Sequence, residues 1–331
     1  MRARALVALA AVLVLSACSG TAAQRTAATV PAVTRSPGAA ASGDPYLDLA
    51  RMLHDRGVVV WFEADLVKRW LEGPAALDKA VERLGVLAHE VPVAGFKIAD
   101  ELGYDDKITS VAQATSFLRD SRAALRRVAP DAEVLVDVLV PELGCPDGDE
   151  GCRAEAARAH PAATIAGVTA YLQAGLLDRV DLSTGLRDGS VGAMQADQQR
   201  AWAQVDALGW RDRTVLQARK ALAAPDGFPD DAGQARDAAR TYIDLPVQGG
   251  ARAVDIWTWR QSYQGRLVGI LDPALHPNAL WRELVRRKRS GTVLFTHMTP
   301  SVLTTDPAGL GRECDLVAEV FSAVFVAAGT G

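Results

Sequence analysis

"GVVVWFEADL", Gly57 to Leu66, is an apolar run rich in β-branched and aromatic residues that closes on two acids. Such a run reads as a buried strand, whereas the "PAALDKAVERLGVLAHE" that follows (Pro74 to Glu90) repeats its apolar residues at three and four, the spacing of a helix face. The pair then recurs along the chain. "VAGFKIADEL" (Val93–Leu102) leads into "ITSVAQATSFLRDSRAALRRVA", and "AEVLVDVLV" (Ala132–Val140) leads through a polar loop to "AEAARAHPAATIAGVTAYLQAG", which Pro161 interrupts. "RVDLSTGL" (Arg179–Leu186), "RTVLQARKAL" (Arg213–Leu222), "ARAVDIWTW" (Ala251–Trp259) and "GTVLFTHM" (Gly291–Met298) continue the series, each behind a helical segment. "SAVFVAAG" (Ser322–Gly329) supplies an eighth strand.

Strict strand–helix alternation predicts an α/β fold with a parallel sheet, and eight units of this size predict a single-domain (β/α)8 TIM-type barrel. The alternative is an open doubly wound sheet. Against it, no Gly-rich turn of the GxGxxG or P-loop type follows an early strand.

Side chains alternate along a strand, so the large apolar residues mark the helix side and the other parity points into the barrel. That rule turns Glu63 inward on the first strand, Lys97 and Glu101 on the second, and Asp137 on the third. It gives Asp181 on the fourth, Gln217 and Arg219 on the fifth, and Asp255, Trp257 and Trp259 on the sixth. The seventh strand contributes either Thr296 or His297. Asp100 has the opposite parity to Glu101 at the strand end. Charged groups on nearly every strand exceed what a core requires, since burying charge is costly unless it is paired. They are expected at the C-terminal mouth, where barrels of this kind carry their sites. A mutually neutralising network that fixes strand register is the competing explanation.

The chain starts with "MRARALVALAAVLVLSACSG", in which Arg2 and Arg4 precede a short apolar run and small residues lead to Cys18. This is the anatomy of a secretory signal. "LSAC" (Leu15–Cys18) resembles the lipobox of bacterial lipoproteins. That resemblance implies a signal peptide over 1–17, lipidation at Cys18, and an extracytoplasmic protein held at the cell membrane by lipid alone. Residues 18–44, rich in Ala, Thr, Ser, Pro and Gly, read as a flexible tether, and the barrel domain is expected over 45–331. Cys145 and Cys152 bracket the loop "CPDGDEGC" and are expected to form a disulfide in that compartment. Cys314 is left over as a buried thiol. The net charge of −4 provides no basic footprint for nucleic acid. His54, His89, His160, His276 and His297 show no zinc spacing, and no GxSxG elbow appears. No metal or cofactor is expected, and the chain reads as a monomer.

Several carboxylates, two cationic groups and tryptophans in one mouth suit glycoside hydrolysis, in which one acid protonates a leaving oxygen and a second carboxylate attacks or activates water. The constellation, with "DIWTWRQSY" (Asp255–Tyr263) on a late strand, is similar to TIM-barrel glycoside hydrolases. From their places in the ring, and not from the family, Glu101 or Asp100 is the expected acid and Asp137 or Glu63 its partner. Lys97, Asp181, Gln217, Arg219, Asp255, Trp257, Trp259 and Arg260 are expected to bind substrate. "DLSTG" and "LFTHM" stand where the large clan of retaining enzymes has its glutamates. The alternative function is a lipoprotein that binds a carbohydrate or other polar small molecule in the same pocket without turning it over.

Overall fold

In the computed structural model, residues 42–104, 106–183, 191–218, 222–303 and 307–328 are described. Their strands, in chain order, are β1 (Val59–Glu63), β2 (Gly95–Lys97), β3 (Glu133–Leu139), β4 (Arg179–Ser183), β5 (Thr214–Gln217), β6 (Ala224–Pro225), β7 (Ala253–Tyr263), β8 (Arg266–Gly269), β9 (Val293–Met298) and β10 (Ala323–Ala327). Eight of them pair in parallel in the order β5-β4-β3-β2-β1-β10-β9-β7, and a β5–β7 pairing closes the ring. The fold is therefore a single-domain (β/α)8 barrel, and the open doubly wound sheet is excluded. Beyond the ring, β7 runs on past the barrel rim and turns back antiparallel onto β8, which also pairs with β6. Sequence periodicity did not anticipate this hairpin.

Helices α1 (Pro45–His54), α2 (Leu66–Glu72), α3 (Pro74–Glu90), α4 (Val111–Val128), α5 (Glu150–Ala159), α6 (Ile165–Gln173), α7 (Val191–Ala207), α8 (Ala232–Ala239), α9 (Leu245–Gln248), α10 (Ala279–Arg289) and α11 (Pro307–Val320) accompany the ring. Their starts follow from local chemistry. Asp44, Ser110, Thr164 and Asn278 each accept a hydrogen bond from a backbone N–H of the first turn of α1, α4, α6 and α10. Such caps satisfy donors that have no partner within the helix. Arg83 of α3 reaches both ends of the domain: its Nη1 bonds Asp44 at the start of α1, and its Nε donates to the Ala328 carbonyl just past β10 at 3.4 Å.

The main core lies between strands and helices. Phe62, Phe96, Val136 and Leu182 of the sheet's outer face meet Leu84, Phe117 and Val317 there, all at most 1 % exposed. A second, smaller core fills the barrel itself with Trp61, Leu135, Val215, Phe295 and Phe325. Gly95 makes room for it: a Cβ there would stand 2.2 Å from the Glu133 carbonyl oxygen and 2.6 Å from the Trp61 ring. The barrel is thus plugged by apolar side chains at its lower layers, as barrels of this size are. The disulfide joins Cys145 to Cys152 across 5.8 Å between Cα atoms, and Cys314 is free and buried. Among the described residues, no helix is long and apolar enough to cross a membrane.

Candidate functional site

One layer above the aromatic plug, the inward positions turn polar. Register sets Glu63 beside Lys97, Asp137 beside Asp181, and Gln217 beside Asp255. Lys97 stands at the centre with a side chain only 1 % exposed. Its Nζ lies 3.1 Å from Glu63 Oε1, 3.5 Å from Asp181 Oδ2 and 3.9 Å from Asp137 Oδ2. The Phe325 ring below lies 5.3 Å from the same ammonium. His297 closes the other half of the circle, its Nδ1 at 2.9 Å from Glu63 Oε2 and its Nε2 at 2.8 Å from Asp255 Oδ2. Gln217 donates to Asp181 Oδ2 at 3.0 Å.

Burial alone would drive every one of these groups toward its neutral form, and the neighbours decide which resist. Burial tends to raise the Glu63 carboxyl, but Lys97 and His297 outweigh it and hold the group well below the usual carboxylate range. Burial likewise opposes the Lys97 charge, yet Glu63, Asp137 and Asp181 push its pKa well above the ordinary lysine value. His297 rises to about 10 against the effect of burial, chiefly through Asp255. Asp181 rises to about 7 through burial and the nearby Asp255. Asp137 is driven well above its ordinary value by burial, and Asp181 and Asp100 reinforce this against Lys97. At neutral pH the ring therefore holds two cations and an ionised Glu63, while Asp137 is biased toward keeping its proton.

The ring forms the floor of a cavity of about 660 Å³ at the C-terminal mouth. Glu63, Lys97, Asp137, Gln217 and His297 reach it from below. The turn after β2 supplies one wall: Glu101 takes a left-handed φ of 49°, Tyr104 N–H bonds back to its carbonyl at 2.9 Å, and Asp100, Glu101 and Tyr104 all face the space. The Tyr104 ring is stacked on His160 with centroids 4.0 Å apart. Opposite stand Trp257, Gln261 and Tyr263 on the overhang of β7, with Trp257 and Tyr263 edge to face at 5.3 Å.

Of the residues expected from sequence, Glu63, Lys97, Asp100, Glu101, Asp137, Gln217 and Trp257 line this one cavity. Asp181 and Asp255 are fully buried behind it and act through Lys97 and His297. Two expectations are corrected. Trp259 does not enter the barrel; it packs edge to face on Phe321 at 6.2 Å and its Nε1 donates to Glu313 Oε1 at 2.8 Å, on the helix side. Arg260 is turned the same way, 3.5 Å from Glu313 and 3.4 Å from the Asp272 and Pro273 carbonyls. The cause is an irregularity in register. Ile256 pairs with Thr296 but Arg260 pairs with Met298, so β7 spends four residues where β9 spends two, and simple alternation fails beyond Trp257. Arg219 and Cys18 lie outside the described residues.

Sequence reasoning left His297 undecided against Thr296. The structure turns His297 inward, and Thr296 Oγ1 bonds the Ile256 carbonyl instead. Treating large apolar residues as outward-facing could not separate the two, because Phe295, with the parity of His297, belongs to the inner plug. Tyr104, Gln261 and Tyr263 were missed as wall residues because they sit in turns and on the overhang, where strand parity has no reach.

Asp181, Asp255 and His297 each offer one ligand atom within 4.8 Å of one another, a spacing that a metal ion could use. In this ring Lys97 and protonated His297 already supply the positive charge that such an ion would bring.

No family model matches the chain, and no curated protein matches it. The chain does resemble solved structures. They include β-methylaspartase from Clostridium tetanomorphum in a Mg complex (12 % identity, TM-score 0.47, 86 % of this chain and 59 % of that one). A second is 2,3-dimethylmalate lyase, a member of the PEP mutase/isocitrate lyase superfamily (10 %, TM-score 0.40, 86 % and 81 %). A third is the carboxyl transferase domain of Rhizobium etli pyruvate carboxylase with pyruvate (12 %, TM-score 0.44, 90 % and 46 %). The chain spans about a quarter of the pyruvate carboxylase chain with acetyl coenzyme A and 59 % of the β-methylaspartase chain. These are likenesses of overall shape, and no activity passes through them to this chain.

The expectation of a glycoside hydrolase is overturned. The solved structures named above are lyases and a carboxyl transferase, not glycoside hydrolases. The geometry agrees, because two of the carboxylates expected to act on a substrate, Glu63 and Asp137, lie within 4 Å of the same Lys97 ammonium.

Proposed function

We propose that the mouth of the barrel is a binding site for a polar small molecule. The observation that carries this reading is the cavity of about 660 Å³ seated on the ion-paired ring. Its volume falls in the range of small-molecule sites, and it combines aromatic walls with a few convergent polar groups. The ring gives a floor whose charges are held by one another before any ligand arrives, so little reorganisation is needed on binding. Trp257 and Tyr263 supply flat apolar area, and Gln217 and Gln261 supply both donors and acceptors.

The test is a thermal-shift screen of the full chain against polar metabolite-sized compounds, followed by calorimetry on hits. Trp257→Ala is expected to weaken binding at least tenfold while leaving the unfolding temperature within a few degrees. Failure of every hit to respond to Trp257→Ala would remove the mouth as the binding site.

We further propose that the protein is exported and anchored through lipid at Cys18. Support comes from the Cys145–Cys152 disulfide, a bond that persists in oxidising compartments. Metabolic labelling with an alkynyl fatty acid should mark the wild type and not Cys18→Ala. Equal labelling of both would sink the anchor.

A further inference from the structure

We infer that the ligand of this site is an organic cation, a small amine or quaternary ammonium compound. The inference rests on the reading of the mouth as a binding site and adds the chemical class. It comes from the balance of charge around the cavity and from what each charge already touches.

Among the described residues of the wall, four are acids (Glu63, Asp100, Glu101 and Asp137) and two are cations (Lys97 and His297). The cations are committed. Lys97, 1 % exposed, has three carboxylates within 4 Å, and His297, 5 % exposed, is held between Glu63 and Asp255 by its two ring nitrogens. An incoming carboxylate or phosphate would find neither of them available and would meet like charge from the acids, a repulsion that the low-dielectric floor strengthens. A cation meets the reverse.

Two further observations point to the same class. Asp137 is 2 % exposed and lines the cavity, and its Oδ1 has no hydrogen-bond partner. An N–H donor on the ligand would satisfy it. The facing wall carries Trp257 and Tyr263 edge to face, with Tyr104 across the space. Aromatic faces attract cations, most strongly where water is excluded. Acids below and aromatic rings beside are the two halves of an ammonium site.

The experiment is calorimetry on the full-length protein at low salt with four probes of similar size: putrescine and choline as cations, a neutral four-carbon polyol, and succinate. Putrescine or choline is expected to bind at least tenfold more tightly than the polyol, and succinate not at all. Raising sodium chloride should weaken the cation, as screening requires. Asp100→Asn and Glu101→Gln should each cost several-fold, and their thermal unfolding serves as the check that they are folded. Preferential binding of the polyol or succinate, abolished by Trp257→Ala, would overturn the cation while leaving the binding site in place. Silence from all four probes, together with no hit in the wider screen, would remove both.

Discussion

Lys97 places an ammonium among three carboxylates with almost none of its side chain in water. Removing one partner from such a group leaves the others as uncompensated buried charge, which costs about 3–5 kcal/mol. Lys97→Met is therefore expected to lower unfolding free energy by about that amount in urea titrations, and a variant as stable as the wild type would show that the ring is not coupled through this residue. Its inward direction was legible from sequence, because Phe96 and Ile98 fix the outward parity of β2 on either side of it. The same logic reached Glu63, Asp137, Asp181 and Asp255. It could not say which of them would meet the cavity and which would serve behind it, since that depends on layer height around a tilted barrel and not on order along a strand.

Strand β7 shows where parity stops being readable. Up to Trp257 it alternates, and beyond that its extra residues turn Trp259 and Arg260 onto Glu313 of α11. Nothing in "DIWTWRQSY" announces the change, because a bulge is set by what β9 and β8 offer on either side. Trp259 consequently belongs to packing. Trp259→Phe removes the nearer donor to a fully buried Glu313 and leaves its Oε1 only Arg260 at 3.5 Å, a loss that costs about 1–3 kcal/mol. Denaturant unfolding should register that loss, and ligand affinity at the mouth should be unchanged. A variant that keeps its stability but loses binding would return Trp259 to the site. The element order itself was almost wholly legible, because the apolar runs and helix faces come from local periodicity. The β7–β8 hairpin and its β6 edge were not, since short strands exposed on one side, as Leu267 is, lack the apolar signature that marked the ring.

Across the whole molecule, the ring ties stability to pH in opposing directions. His297 gains affinity for its proton on folding, so its contribution is complete below its ordinary 6.5 and is lost as pH climbs through about 10. Glu63 is depressed, so its contribution is present above the ordinary 4.5 and lost in acid. Asp181, raised from 3.8 to about 7, binds its proton more tightly when folded, and stability declines as pH rises across that interval. Asp137, driven up in the same way, adds to the decline, so Asp181→Asn should lessen the slope of unfolding curves taken from pH 4 to 7, and an unchanged slope would assign it to other groups. Arg83 has a different consequence. By bonding Asp44 and the Ala328 carbonyl together it brings the first helix and the last strand of the barrel to one point, so the fold is a loop in sequence space as well as in its sheet. A short glycine-rich splice between those positions, with new termini opened in the exposed turn at Gly265, should yield a circular permutant that folds to the same barrel. Its circular dichroism and unfolding midpoint, compared with the parent, would measure how little the barrel depends on where its chain is cut.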